Sequence, residues 1–316
     1  MPYLFRFYPF RFLSVSSLTG IFLISVFCFQ LSAIAQKTSI VHRQHGSLEL
    51  EGLTRFYLLN LPPDYEEKTS FSLVIALHGG GGSSKQAEES YQLTRKSNAE
   101  HTIIVYPEGV QSDGVLKLRT WNAGTCCQYA VEKQIDDVHF ISKLIDELVS
   151  KYNINPKRVY VAGMSNGAML AYRLACEIPE KIAAIATVSG TLEKIEPCMS
   201  RLQVPILHLH SELDSHVPFR GGKGIRGYYF HSVDYGLRIW AKLNACSMLP
   251  IVTEKENYTL KQWKDEKGKV VMEYYLTKDG GHSWPGSTKV RMIADEPSRA
   301  INANDLIWAF FNRFER

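Results

Sequence analysis

Val159-Tyr160-Val161-Ala162-Gly163-Met164-Ser165-Asn166-Gly167 decides the reading of this chain. An apolar, β-branched run leads in, and a helix-forming run, Ala168-Met-Leu-Ala-Tyr-Arg-Leu-Ala-Cys176, leads out. A G-x-S-x-G pattern alone is weak, but between a strand and a helix it forms a sharp turn. Such a turn strains the backbone at the serine and lifts its hydroxyl above the sheet. Gly163 and Gly167 suit the close backbone approach that the turn requires. The helix N-terminus adds positive partial charge where an oxyanion would form. Ser165 is therefore the candidate nucleophile and the Asn166 N–H a candidate oxyanion donor. A serine that merely caps the helix is the competing reading.

Outward from this turn, short apolar runs alternate with helix-length amphipathic segments. Phe56–Leu61, Leu73–Leu77, Thr102–Tyr106, Val159–Ala162, Ile182–Val188, Pro205–His210 and Val270–Leu276 read as strands. Ser84–Ala99, Ile135–Tyr152, Asn166–Cys176, Val233–Leu243 and Asp305–Phe314 read as helices, and 120–129 as a loop. Val138, Ile141, Leu144, Ile145 and Leu148 recur at spacings of three and four, the period of one helix face. Strands that are apolar without alternation, separated by helices, predict a doubly wound, mostly parallel sheet covered on both faces. No internal repeat or linker divides residues 36–316, which suit a single domain.

A serine hydroxyl needs a positioned base. Open α/β sheets place such groups in loops at the carboxyl ends of their strands. Asp214 follows Pro205–His210 and is the expected acid, with Glu212 and Asp279 as competitors. Of the histidines beyond Asp214, His216 is too near it in sequence and His231 begins a helix. His282, in Asp279-Gly-Gly-His-Ser-Trp-Pro-Gly286 after the final strand, is the expected base. His208 and His210 share one face of a strand, within it rather than at its mouth, and read as satisfied core histidines. Leu77-His78-Gly79-Gly80-Gly81-Gly82 follows an early strand; glycines let amides turn inward, so Gly80 N–H is the expected second oxyanion donor. The run fits neither G-x-x-x-x-G-K-[ST] nor G-x-G-x-x-G, which argues against nucleotide binding. The order Ser, Asp, His, each at a strand end, predicts an α/β-hydrolase fold.

Residues 1–35 carry Arg6, Arg11 and no acid, then an uncharged run from Leu13 to Ala35 closing on Ala33-Ile-Ala35. This reads as a secretory signal peptide cut near Ala35-Gln36. An uncleaved anchor is the alternative, disfavoured by the serines that dilute the run. Of the chain's 36 basic and 32 acidic residues, the signal removes two arginines, and no basic stripe stands out. Neither nucleic acid nor stable association with a membrane is expected after cleavage. Cys126, Cys127, Cys176, Cys198 and Cys246 would face an oxidising compartment, where disulfides form. Adjacent Cys126 and Cys127 do not easily pair with each other, so one of them is expected to bond a distant cysteine. The spacing matches no zinc pattern, and neither metal nor cofactor is expected.

The chain resembles the secreted polyhydroxybutyrate depolymerase/feruloyl esterase family of α/β-hydrolases. The matching stretches are LHGGGGS from Leu77, YPEG from Tyr106, TWNAGTCC from Thr120, DDVHF from Asp136, GMSNGAMLAYRLAC from Gly163, HSELDSHVPFRGG from His210 and GHSWPG from Gly281. They span most of residues 36–316. The resemblance implies a Ser165–His282–Asp214 triad, an oxyanion donor near Gly80, and no cofactor. It departs where the family commonly has H-G-T-x-D and this chain reads His210-Ser-Glu-Leu-Asp214. It also implies a disulfide from the Cys126–Cys127 pair to Cys176. Depolymerases of solid polyester carry a separate polymer-binding module, which this chain does not show. The expected substrate is therefore a feruloyl or acetyl ester on polysaccharide, or a small soluble ester, with oligo(3-hydroxybutyrate) as the alternative. A peptidase of the same fold and a binding module without catalysis are the remaining rivals. Trp121 and Trp284, in loops beside the site, are expected to stack on an aromatic acyl group or a sugar.

Overall fold

The computed structural model describes residues 42–68, 70–193, 198, 202–290, 292 and 294–316. The segment read as a signal peptide, with its cleavage site at Ala35-Gln36, lies outside the described residues. The described residues belong to one compact unit.

Ten strands form one sheet: β1 (His42–Leu50), β2 (Leu53–Leu61), β3 (Phe71–Leu77), β4 (Thr102–Pro107), β5 (Ile154–Met164), β6 (Ala184–Val188), β7 (Ile206–Ser211), β8 (Ile251–Glu254), β9 (Tyr258–Lys264) and β10 (Val270–Thr277). Their order is β1-β2-β4-β3-β5-β6-β7-β10-β9-β8. The six strands from β4 to β10 in that order run parallel, and both margins are antiparallel. Seven α-helices are described: α1 (Ser84–Tyr91), α2 (Leu93–Ala99), α3 (Gln128–Glu132), α4 (Asp137–Lys151), α5 (Asn166–Glu177), α6 (Val233–Leu243) and α7 (Ala303–Phe311). This is the expected α/β-hydrolase architecture.

The reason lies in the strand sequences. Every residue of β3, β4, β6 and β7 is buried, so these strands need cover on both faces, which helices between parallel strands supply. On α4 the expected apolar face is the buried one: Val138, Ile141, Leu144, Ile145 and Leu148 all pack inward. No helix of the described residues is long and apolar enough to cross a membrane.

Two differences from expectation have local causes. The helix anticipated over Ser84–Ala99 breaks at Gln92, whose φ of 55° is left-handed. The break frees the carbonyls of Tyr91 and Gln92, and Asn304 Nδ2 donates to both, at 2.9 and 3.4 Å. β1, β8 and β9 were not anticipated, because strands at an antiparallel margin need no continuous apolar run.

Register places the site. Leu77 of β3 pairs with Gly163 of β5, Met164 with Val188 of β6, Val188 with Leu209 of β7, and Ser211 with Thr277 of β10. The carboxyl ends of neighbouring parallel strands are thus level. The loops carrying Gly79–Gly82, Ser165, Asp214 and His282 leave the sheet along one edge, as open α/β sheets require of a site.

Candidate active site

Ser165 stands between β5 and α5 with φ 55° and ψ −122°. For a non-glycine residue this conformation costs on the order of 1–3 kcal/mol and is held only where the surroundings impose it. Here the Ser165 N–H donates to Val188 O at 2.8 Å. Its glycine neighbours permit the closeness: a Cβ at Gly167 would lie 2.6 Å from the carbonyl oxygens of both Leu77 and His78. One at Gly163 would run into the Gly167 backbone.

Two amides beside Ser165 lack acceptors. In the glycine run, Gly79 N–H donates to Tyr91 OH (3.1 Å), Gly81 N–H to Arg119 O (2.7 Å) and Gly82 N–H to Gly79 O (3.0 Å). Gly80 N–H has no protein acceptor among the described residues, and neither does the N–H of Asn166 at the start of α5. Helix N-termini leave such donors unpaired and carry positive partial charge. Gly80, Ser165 and His282 line two cavities in common, and Asn166 lines the larger.

His282 and Asp214, 68 residues apart, meet: His282 Nδ1 lies 2.8 Å from Asp214 Oδ2. The other carboxylate oxygen accepts from the N–H groups of His216 (3.0 Å) and Val217 (2.9 Å). Burial pushes the Asp214 carboxyl up, but the imidazoles of His282 and His210 outweigh it and hold the group well below the usual carboxylate range. An ionised Asp214 fixes the proton of neutral His282 on Nδ1, leaving Nε2 as the basic atom. No hydrogen bond joins Ser165 Oγ to His282, which is common before substrate binds. The competing carboxylates are elsewhere engaged. Asp279 accepts from Ser298 Oγ (2.6 Å) and Arg299 N–H (2.7 Å), and Glu212 is exposed.

The tryptophan expectation needs correcting. Trp121 is fully buried and lines neither cavity at Ser165. Its Nε1–H donates to His78 O (2.8 Å), and its backbone is bound on both sides by the Asn166 amide. Trp284 is also buried, stacked on Tyr91 with ring centroids 4.2 Å apart and bonded through Nε1 to Asn304 Oδ1. It forms part of the wall of the smaller cavity. Trp121 thus has no face open to a ligand, whereas Trp284 keeps a place in the wall of a cavity that Ser165 and His282 also line.

The cysteine expectations are also corrected. Cys176 bonds Cys198 rather than a member of the Cys126–Cys127 pair. Cys246 is the free cysteine among the described residues.

Three supports went unnoticed in the sequence. His78 accepts from Gly109 N–H at Nε2 (2.9 Å), so its Nδ1–H donates to Gly79 O (2.7 Å). Complete burial lowers its pKa from 6.5 to about 4, which keeps it neutral in that tautomer. Asp295 Oδ2 accepts from His282 N–H at 2.7 Å, tethering the candidate base. The His216 ring, judged too near Asp214 to act as its base, sits 4.8 Å from the His282 ring and lines the larger cavity.

That cavity, of about 480 Å³, is walled by Leu118, Met169, Val217, Tyr228 and Phe230, with Arg226 contributing a cation. The smaller, of about 170 Å³, is more polar, with Ser283, Ser287, Thr288 and Asp295. Among the described residues no cluster of three or more His, Cys, Asp or Glu is arranged to hold a metal.

The phospholipase/carboxylesterase family model matches residues 65–239, more than half of the chain. The chain belongs to this family. Feruloyl esterase B of Piromyces equi is a relative, 27% identical over 237 residues, which are 72% of this chain and 42% of the relative. The bifunctional acetylxylan esterase/xylanase XynS20E of Neocallimastix patriciarum is 27% identical over 224 residues, 71% of this chain and 30% of that protein. The chain thus spans less than half the length of these curated relatives. Among solved structures, an acetyl xylan esterase from Aspergillus awamori has the same fold. It superimposes with a TM-score of 0.61 at 15% identity over 85% of this chain and 99% of its own. The resemblance to feruloyl esterases drawn from the motifs is borne out by these family relatives.

Proposed function

We propose that the protein is a serine carboxylic-ester hydrolase, with Ser165 as nucleophile, His282 as base and Asp214 as the acid that orients it. The observation that carries this reading is the strained Ser165, beside which the amides of Gly80 and Asn166 are left without acceptors. Unpaired amides beside a nucleophile are what a tetrahedral oxyanion needs.

In this reading Ser165 Oγ attacks the ester carbonyl while His282 Nε2 takes its proton. Asp214 stabilises the imidazolium, and the two amides hold the oxyanion. Collapse of the intermediate breaks the C–O bond, with His282 protonating the departing alcohol. Water, deprotonated by His282, then releases the acid and restores Ser165. None of these steps uses a cofactor.

The substrate reading is a feruloyl or acetyl ester on polysaccharide, or a small soluble ester. The names of the relatives support it, as does the larger cavity, whose apolar and aromatic wall suits an aromatic acyl group. Phe230 and Tyr228 supply the aromatic wall of this cavity, and Trp284 lines the smaller one. Export through the N-terminal signal completes the reading, and the Cys176–Cys198 disulfide is in keeping with it.

The test is kcat/KM on methyl ferulate, an acetylated xylo-oligosaccharide and a 3-hydroxybutyrate oligomer, with Ser165→Ala as control. Ser165→Ala should lose roughly 10⁴–10⁶ in kcat and all labelling by a fluorophosphonate. Retained activity in that variant would refute the mechanism. Preference for the hydroxybutyrate oligomer would replace the polysaccharide-ester reading with a depolymerase-type one.

A further inference from the structure

Behind the proposed acid lies a buried chain of polar groups that the mechanism above does not use. His210 Nε2 is 2.8 Å from Val217 O and 3.3 Å from Asp214 Oδ2, the oxygen that also meets His282. His210 Nδ1 is 3.1 Å from His208 Nε2. His208 Nδ1 is 2.9 Å from Tyr172 OH and 2.8 Å from Thr187 Oγ1. Tyr172, Thr187, His208, His210 and Asp214 are all buried.

The proton positions follow from one fact. A carbonyl oxygen only accepts, so the hydrogen bond to Val217 O places a proton on His210 Nε2. A neutral His210 then accepts at Nδ1, which puts the His208 proton on Nε2. His208 in turn accepts at Nδ1 from one of the two hydroxyls beside it, Tyr172 or Thr187. The donors of the chain therefore run one way, from α5 and β6 towards Val217 O, with Asp214 Oδ2 beside the last of them. Complete burial holds His208 well below the ordinary histidine pKa, in keeping with a neutral ring.

We infer that His210, held in a single tautomer by Val217 O, is a positioning residue that presents Asp214 to His282. This rests on the esterase reading above. The His210 Nε2–H, bonded to Val217 O at 2.8 Å, lies with its nitrogen 3.3 Å from Oδ2, while the His216 and Val217 amides hold Oδ1. The carboxylate plane is thereby fixed, and part of its negative charge is drawn away from His282. Tyr172 lies on α5, the helix that begins directly after Ser165, so one hydrogen-bonded path ties the helix behind the nucleophile to the acid. The titratable groups facing this path are His208 and Tyr274 from the sheet, Tyr172 from α5, Asp214 and His216 from the loop after β7, and His282 and Asp295 from the last loop.

The experiment is the pH profile of kcat/KM for His210→Phe and His210→Gln in the whole enzyme, with melting temperatures to show that both fold. Phenylalanine fills the space without a donor; glutamine restores an N–H near the Nε2 position. In His210→Phe, kcat should fall about ten- to hundredfold, the scale of one charge-assisted hydrogen bond, with KM within about threefold. The acid limb should move to higher pH by about half a unit or more, because Asp214 then acts on His282 with its charge undivided. His210→Gln should return both towards wild type. A folded His210→Phe with an unmoved acid limb, whether or not kcat falls, overturns the inference. If His210→Phe does not fold, ring ¹⁵N NMR of the wild-type protein decides. Neutral His208 and His210, both protonated on Nε2 at pH 7, support the chain; a cationic or Nδ1-protonated His210 overturns it. Wild-type protein inactive on every ester would defeat the esterase reading, and the NMR would still test the chain.

Discussion

The side chain of Asn166 binds both backbone polar atoms of Trp121: Trp121 N–H donates to Oδ1 at 2.7 Å, and Asn166 Nδ2 donates to Trp121 O at 3.0 Å. The residue after the proposed nucleophile thus offers its amide to the cavity while its side chain clasps the neighbouring loop. Trp121 passes the constraint on through its indole, which bonds His78 O at the root of the glycine run. The two proposed oxyanion donors, on different loops, are held in register by this clasp.

Asn166→Ala should therefore disturb both donors without deleting either. Trp121 N–H would lose its acceptor, at about 1–3 kcal/mol, whereas Trp121 O would keep the Cys127 N–H at 3.2 Å. The expected result is a stability loss of roughly 1–3 kcal/mol in urea unfolding. A kcat loss of about tenfold or more should accompany it, since removing one oxyanion donor outright costs about 10²–10³. Unchanged kcat in a destabilised variant would show that the clasp serves folding alone.

Much of this site was legible because its residues follow strands. Ser165, Asp214 and His282 each lie just past an apolar run, and that local pattern survives folding. The supports do not announce themselves in this way. Asp295 reaches His282 N–H from an irregular loop with no periodicity to mark it. Cys198, the partner of Cys176, lies outside any strand or helix, and no local pattern marks that pairing. Their loops placed Trp121 and Trp284 near the site, but whether an indole faces a ligand or the core depends on distant partners such as His78 O for Trp121 and Asn304 for Trp284. The marginal strands β1 and β8 escaped notice because most of their residues remain exposed or half-buried.

The glycines of the site should differ sharply in tolerance. A Cβ at Gly80 would make ordinary contact with Asn166 Cβ, 3.8 Å away, and leave the N–H in place. Gly80→Ala is expected to keep activity within about tenfold of wild type, on the scale of minor packing changes. At Gly167 a Cβ would meet the backbone of β3, which cannot yield cheaply. Gly167→Ala should lose soluble expression or labelling by the fluorophosphonate. Comparable labelling of both variants would contradict this geometry.

Disulfide loss should affect stability and spare chemistry. Cys176 and Cys198 close a loop with a sequence separation of 22, worth about 3 kcal/mol in the chain-entropy description. Cys198→Ser should lower the melting temperature accordingly, while kcat/KM at 25 °C stays within about twofold because neither cysteine lines the two cavities at Ser165. Equal melting temperatures for the variant and wild type, both handled without reductant, would contradict the contribution.

The larger cavity should set acyl preference. Tyr228 is half-buried in its wall, so truncating it removes aromatic surface without opening the core. Tyr228→Ala should raise KM for methyl ferulate about tenfold, the value of one lost aromatic contact of roughly 1 kcal/mol or more, and leave acetyl ester hydrolysis unchanged. Equal losses on both substrates would move the acyl group out of this cavity.

The buried imidazoles give stability a defined pH dependence. His78 binds its proton with a pKa of about 4 when folded, against 6.5 ordinarily. Between those values the unfolded chain takes up the proton and the folded protein does not, so stability falls as pH drops. His78 alone contributes about 3 kcal/mol above pH 6.5, all of it lost by about pH 4. His208 adds to the loss in the same direction. Asp214 acts lower: its depressed carboxyl contributes stability above the ordinary carboxylate pKa of about 4 and loses it only as pH falls further. Urea unfolding should therefore show a decline from pH 7 to pH 4.5, and His78→Gln, which does not titrate, should flatten it. A wild-type stability that is level across this window would mean that His78 is not held neutral by its surroundings.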